Sequence, residues 1–153
     1  MSLKDKKLTE KAFAKLNLFL EITGALENGY HSLETLMQTV DLFDEVTVEL
    51  EGDKTIVSCD NPQIPSDERN IAYKAAELFK KELGKNFGIK IHIKKKIPVE
   101  AGLGGSSTDG AAVLRALNKL FGSPFSNEKL RAMSSSLGAD VAFCLCGGTR
   151  LCS

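Results

Sequence analysis

Residues 98 to 113 read Pro-Val-Glu-Ala-Gly-Leu-Gly-Gly-Ser-Ser-Thr-Asp-Gly-Ala-Ala-Val and bring together the residue types that grip an anion. Gly102, Gly104 and Gly105 allow the backbone to turn tightly and approach a phosphate with no Cβ in the way. Ser106, Ser107 and Thr108 open a helical stretch, where they can cap the helix or donate to phosphate oxygens or a magnesium shell. The first turn of a helix carries N–H groups without intrahelical partners, and its dipole adds roughly half a positive charge. Just upstream stand Lys94, Lys95 and Lys96, of which Lys95 or Lys96 could supply a full charge, with a solvated strand end equally open; Pro98 and Leu103 belong to the same candidate ATP loop. The pattern describes a site for a nucleotide's phosphates. Read from glycines alone, a turn that merely joins a strand to a helix stays equally open.

Two familiar phosphate loops are excluded by the letters. A P-loop ends in Gly-Lys-Ser or Gly-Lys-Thr, whereas the glycine at that spacing, Gly110, is followed by Ala111 and Ala112. A dinucleotide fingerprint starting at Gly102 and Gly104 needs glycine at position 107, where Ser107 stands.

Other polar residues sit where apolar neighbours make them conspicuous. In residues 12–23 the positions Leu16, Leu18, Leu20 and Ile22 alternate as a strand face, while Lys15 and Asn17 share the opposite face with Phe13 and Phe19. Such a pair either reaches solvent or faces a ligand. Glu27-Asn28-Gly29 is a turn signal followed at once by Tyr30 and His31, which can stack on and hydrogen-bond a planar base or simply pack. Asp140 is a lone carboxylate at the entrance to the apolar run 141–146.

The elements that must hold these residues follow from periodicity. Strands are predicted over 12–23, 33–40, 45–51 and 54–59, the last two joined as a hairpin at Gly52-Asp53, and over Ile89, Ile91 and Ile93. Helices are predicted over 70–83, on the stripe Ile71, Ala75, Leu78 and Phe79, and over 107–121, on Leu114, Leu117 and Phe121. Ser126 caps a further helix bearing Leu130, Met133 and Leu137 and ending at Gly138. The run Val141-Ala142-Phe143-Cys144-Leu145-Cys146 reads as a strand that packs both cysteines inward. With 153 residues, 42% of them hydrophobic, one domain with a real core is expected. Twenty basic and twenty acidic side chains cancel, which weighs against non-specific nucleic-acid or membrane-surface binding. Cys59, Cys144, Cys146 and Cys152 lack zinc-knuckle spacing, so no protein-held metal is expected, and reduced thiols in a cytoplasmic protein are the simple reading.

Taken together, Ala14-Lys15-Leu16-Asn17-Leu18, Asn28-Gly29-Tyr30-His31, Met37-Gln38-Thr39-Val40-Asp41, the loop from Pro98 to Ser107, and Leu137-Gly138-Ala139-Asp140-Val141 resemble the GHMP small-molecule kinases. The resemblance runs in order over residues 14–149. It implies an α+β fold, a mostly antiparallel sheet with helices packed on one face, in the ribosomal-protein-like form of the family's N-terminal domain. It implies ATP with Mg²⁺, and its nearest branch serves the non-mevalonate isoprenoid pathway, phosphorylating the 2-hydroxyl of 4-diphosphocytidyl-2-C-methyl-D-erythritol. By the same resemblance Asp140 is the catalytic base and Lys15 orients the hydroxyl. Asn17, Tyr30 and His31 hold the substrate, the loop from Gly102 to Thr108 covers the ATP phosphates, and Asn70 lies near the adenine. Position 106 is serine where that branch has a third consecutive glycine, which the wider family accepts. The resemblance covers the N-terminal half of such enzymes, so the chain is expected to be one ATP-binding domain over 1–153, with 1–10 as a leader, acting as monomer or homodimer. Two other function classes stand beside this one. A nucleotide-binding module without turnover would bind ATP and form no product, and an RNA-binding ribosomal-type domain would show salt-dependent RNA affinity.

Overall fold

The computed structural model describes residues 6–25, 31–99, 104–146 and 149–152, with 17–25, 31–37, 139, 146 and 149–152 described as backbone only. In chain order the elements are β1 (Lys7–Ala25), β2 (His31–Leu50), β3 (Thr55–Cys59), α1 (Ile71–Leu83), β4 (Ile89–Lys94), α2 (Gly105–Leu120), α3 (Asn127–Ser134), α4 (Ala139–Cys146) and β5 (Thr149–Cys152). The sheet runs β1-β2-β4-β3, with β5 joining β2 over Thr35–Gln38. Pairings of β1 with β2, β2 with β4 and β2 with β5 are antiparallel, and β3 with β4 is parallel. The fold class is the expected α+β one, with a mixed sheet.

Alternation decides β4. Ile89, Ile91 and Ile93 are fully buried while Lys90, His92 and Lys94 are exposed, as a sheet with one covered face requires. The same inner face receives Ala12, Val46, Val48, Leu50 and Val57, and against it pack the stripes of α1 (Ala72, Ala75, Ala76, Phe79) and α2 (Val113, Leu114, Leu117). The two helices cross closely. A Cβ at Gly110 would lie 2.5 Å from Ile71 Cγ2, so no larger residue fits without parting them.

Several expectations change. The proposed Gly52-Asp53 hairpin does not form, because β4 is inserted between β2 and β3. Local turn chemistry cannot report a later strand that takes the place beside β2. The strands expected over 33–40 and 45–51 are one strand, and β1 begins at Lys7, opposite Glu49, so residues 7–10 belong to the sheet. The expected strand 141–146 is α4. Six apolar residues cannot be assigned by period alone, and this run is apolar nearly all round because it packs on α2 and α3. Cys144 thus lies half-buried on a helix, and Cys59 and Cys144 are free thiols. Ser126 caps α3 as expected, accepting from Lys129 N at 3.1 Å, but that helix ends at Ser134 and short turns lead on to Gly138.

Candidate active site

A break in strand register places Lys15. Phe13 pairs with Phe43 but Lys15 with Thr39, so the register skips Ala14 on β1 and residues 40–42 on β2. Irregularities of this kind re-aim side chains. Here the inward-outward alternation fails, Ala14 and Lys15 are both buried, and Leu16, expected on the core face, is 40% exposed. The Lys15 stem lies along Gly104: a Cβ built there would come within 2.9 Å of Lys15 Cγ and 3.0 Å of Cε. Gly104 also has φ 71°, the left-handed region that favours glycine. Both facts require glycine at this position. From there Lys15 Nζ reaches Asp140 Oδ2 at 3.3 Å. Asp140 lies in the first turn of α4, where the helix dipole favours a carboxylate, and its side chain is 38% exposed.

The start of α2 lies alongside. Gly104 is its N-cap and no side chain caps it, contrary to the expectation for the hydroxyl run, which falls inside the first turn instead. The first intrahelical bond at that end is Thr108 N to Gly104 O, at 2.9 Å. The amides before it have no carbonyl within the helix to donate to, the arrangement in which a helix start can donate to an anion. Ser106 is exposed, Ser107 half-buried and Thr108 buried. Thr108 hydrogen-bonds the Cys144 thiol, whose burial pushes it up to about 11, so this cysteine is a packing residue rather than a nucleophile.

The lysines upstream divide. Lys96 is 45% exposed, with its ammonium 4.9 Å from the Phe43 ring centroid and 3.8 Å from Glu45 Oε1. Lys95 is only 5% exposed, and its ammonium lies 2.5 Å from Asp44 Oδ2 and 3.2 Å from Asp109 Oδ2. It sits directly under the helix start, since a Cβ at Gly105 would meet Lys95 Nζ at 2.9 Å. Lys95 is thus committed to two carboxylates and does not present its charge at the surface. Burial works to raise the Asp44 carboxyl, but the hydrogen bond with Asp109 and those from Ile97 N, Lys95 and Lys96 N outweigh it and hold Asp44 below its ordinary value. Burial and the neighbouring Asp44 push Asp109 well above the carboxylate range. Neither Asp44 nor Asp109 was singled out from sequence. The only signal was that each acid borders an apolar run, Asp44 after Leu42-Phe43 and Asp109 before Ala111-Ala112-Val113, and an acid buried there must find a partner.

The remaining candidates are placed as follows. Asn70 caps α1, accepting from Ala72 N at 2.8 Å and donating to Pro65 O at 2.9 Å, so its amide is taken up by structure. Pro98 is exposed. Asn17 pairs with Met37 and His31 with Ala25 in the sheet, which brings the Asn17 backbone two residues beyond Lys15. Tyr30, Gly102 and Leu103 lie outside the described residues.

A family model described as the GHMP kinases N terminal domain matches residues 70–148. The chain belongs to the GHMP kinases. Members of this family are ATP-dependent kinases of small molecules, in keeping with a bare helix start beside an acid and a lysine. Similar curated GHMP relatives include the 4-diphosphocytidyl-2-C-methyl-D-erythritol kinase of Caldicellulosiruptor saccharolyticus, 52% identical over 93% of this chain and 49% of that protein. The protein of the same name from Clostridium botulinum is 49% identical over 93% of this chain and 51% of its own. A crystal structure of 4-(cytidine 5'-diphospho)-2C-methyl-D-erythritol kinase superimposes with a TM-score of 0.79 at 36% identity, covering 95% of this chain and 51% of that one. Homoserine kinase from Cytophaga hutchinsonii gives 0.73 at 26% identity, covering 96% and 48%. The chain spans about half the length of the curated relatives it matches. Among the described residues no helix is long and apolar enough to cross a membrane.

Proposed function

We propose that this chain supplies the ATP-binding and phosphoryl-transfer residues of a kinase that phosphorylates the 2-hydroxyl of 4-diphosphocytidyl-2-C-methyl-D-erythritol, in the cytoplasm, for isoprenoid precursor synthesis. The observation that carries the reading is the 3.3 Å pair of Lys15 and Asp140, with the Lys15 stem packed on Gly104 at the open end of α2. An acid, a cation and an anion-binding helix start converge in one place, although Lys15 and Asp140 are 125 positions apart in the sequence.

In this reading Asp140, the more exposed partner, accepts the proton of the acceptor hydroxyl. Lys15, held rigid by burial, orients that hydroxyl and offsets charge as the phosphoryl group moves. Unpaired amides at the start of α2, with Ser106, Ser107 and Lys96, hold the phosphates of ATP. Asn17, Tyr30 and His31 would hold the cytidine end of the substrate, and the corner capped by Asn70 would border the adenine. Among the described residues no group of three or more acidic, histidine or cysteine side chains is arranged to hold a metal ion. Mg²⁺ would be carried on the nucleotide, with Ser107 as its protein ligand. Held there, it would supply positive charge against the phosphates.

The test uses the protein as the cell makes it, with ATP labelled at the γ-phosphorus and the cytidylyl substrate. Label is expected on the substrate, and Asp140→Asn is expected to bind ATP within about twofold of the parent while losing most turnover. Near-full turnover by that variant would remove Asp140 as the base. ATP binding without any transfer would leave a binding module.

A further inference from the structure

The helices cover one face of the sheet, and the opposite face sorts the chain's charges. Lys7, Thr9 and Lys11 of β1 stand beside Glu49, Thr47 and Glu45 of β2, which stand beside Lys90, His92 and Lys94 of β4. Ser58 of β3 adjoins His92. The four lysines and His92 are exposed, and the glutamates are half-buried. These rows therefore carry four lysines against two glutamates, in a chain whose basic and acidic residues cancel. The overall balance that weighs against nucleic-acid binding hides a local positive excess, and a polyanion meets the local field.

These charges are not committed elsewhere. Among the described residues Lys7, Lys90 and Lys94 form no ion pair, and Lys11 lies 4.9 Å from the Phe43 ring centroid. Of the two glutamates, Glu45 is offset by Lys96 Nζ at 3.8 Å. Thr9 and Thr47 hydroxyls meet at 2.9 Å, and Ser58 Oγ lies 2.8 Å from His92 Nδ1, which leaves Nε2 without a partner among the described residues. Lys7, Lys90 and His92 line a groove of about 570 Å³ on this face.

The pattern selects the kind of polyanion. Along β4 the donors Lys90, His92 and Lys94 recur every second residue, roughly 7 Å apart, which makes a straight track for a chain of regularly spaced phosphates. Glu49 and Glu45 run alongside on β2 and confine an anionic chain to the lysine column. A lipid surface would press both glutamates against its headgroups, and these rows hold no apolar side chain to insert into it. Past the Lys94 row, the half-buried rings of Phe13 and Phe43, 5.4 Å apart, offer an aromatic surface to a base.

We propose that this open sheet face binds single-stranded nucleic acid through its phosphates, with Lys90, His92 and Lys94 as the main track. The surface lies across the sheet from the helices, apart from Lys15, Asp140 and the start of α2, and does not depend on the kinase reading.

The test measures fluorescence anisotropy of a labelled oligouridylate with the protein as the cell makes it. Affinity is expected to fall with salt and to survive saturating Mg·ATP. Lys90→Glu with Lys94→Glu is expected to weaken binding about tenfold or more and to flatten the slope of log affinity against log salt by about 1.4. The same charge change at exposed Lys74 and Lys85, in and just after α1, is expected to stay within about twofold. Glu49→Gln is expected to tighten binding by about twofold or more, a gain that misfolding cannot imitate. Absence of binding, displacement by Mg·ATP, or equal losses in the two lysine pairs overturns the proposal. So does capture by phosphatidylserine vesicles with no affinity for the oligonucleotide, which would make the face a membrane contact.

Discussion

Lys15 and Lys95 are both buried lysines beside the same helix start, yet they do opposite things. Lys15 reaches one carboxylate that stays 38% exposed, so the pair opens onto solvent and can admit a third group. Lys95 is closed in by two carboxylates that are themselves buried. The difference lies in the acid rather than in the lysine. A partner at the surface makes a site, and partners in the core make a joint.

The contrast can be broken most severely at the open pair. Asp140→Asn should lower turnover by about a hundredfold or more in a single-turnover transfer assay, while thermal stability stays near that of the parent, because a half-exposed ion pair contributes little to folding. At the closed pair the effects should exchange. Asp44→Ala leaves Lys95 buried with one weak partner and should cost about 3–5 kcal/mol in denaturant unfolding. Gly104→Ala touches both regions: the left-handed backbone costs about 1–2 kcal/mol, and the new Cβ displaces the Lys15 stem. Turnover should therefore fall more than the stability loss explains, which kinetics and melting on the same samples would show. Ser126→Ala, remote from either lysine, should cost about 1 kcal/mol through the lost cap of α3 and leave nucleotide affinity unchanged.

Acidity sharpens the comparison further, with opposite signs for the two buried acids. Asp44 lies below its ordinary 3.8 in the folded chain, so the stability it contributes is fully present above that value and is lost as pH falls through the lower folded one. Asp109 is raised, so its contribution is present below the ordinary carboxylate value and is lost as pH rises through the folded one. Unfolding midpoints should thus fall at the acid end in both the parent and Asp109→Asn. At the alkaline end the decline due to this group should be absent from Asp109→Asn.

Much of the frame was legible before any coordinates. Alternation in Ile89, Ile91 and Ile93, the stripes of the two long helices and the Ser126 cap are local signals, and each holds in the structure. The glycine turn at Gly104 was legible as the start of a helix, although the hydroxyls were expected to cap a helix that in fact begins on glycine. Lys15 and Asp140 were paired through their resemblance to a family rather than through any local pattern. Periodicity failed at α4, where six apolar residues suit a buried helix as well as a strand, and at β3, which took β4 as its neighbour instead of β2.

Residue order alone therefore settled which segments are helical or extended wherever an apolar face repeats, because burying that face is a local demand on spacing. It also marked a glycine turn that opens a helix, because small residues act over a few positions. Only the tertiary structure decided that Lys95 is locked between Asp44 and Asp109 while Lys15 pairs with an acid that stays partly exposed. The cost of a buried charge depends on what the rest of the chain folds around it, and residues 44, 95 and 109 meet only once the sheet and α2 have closed together.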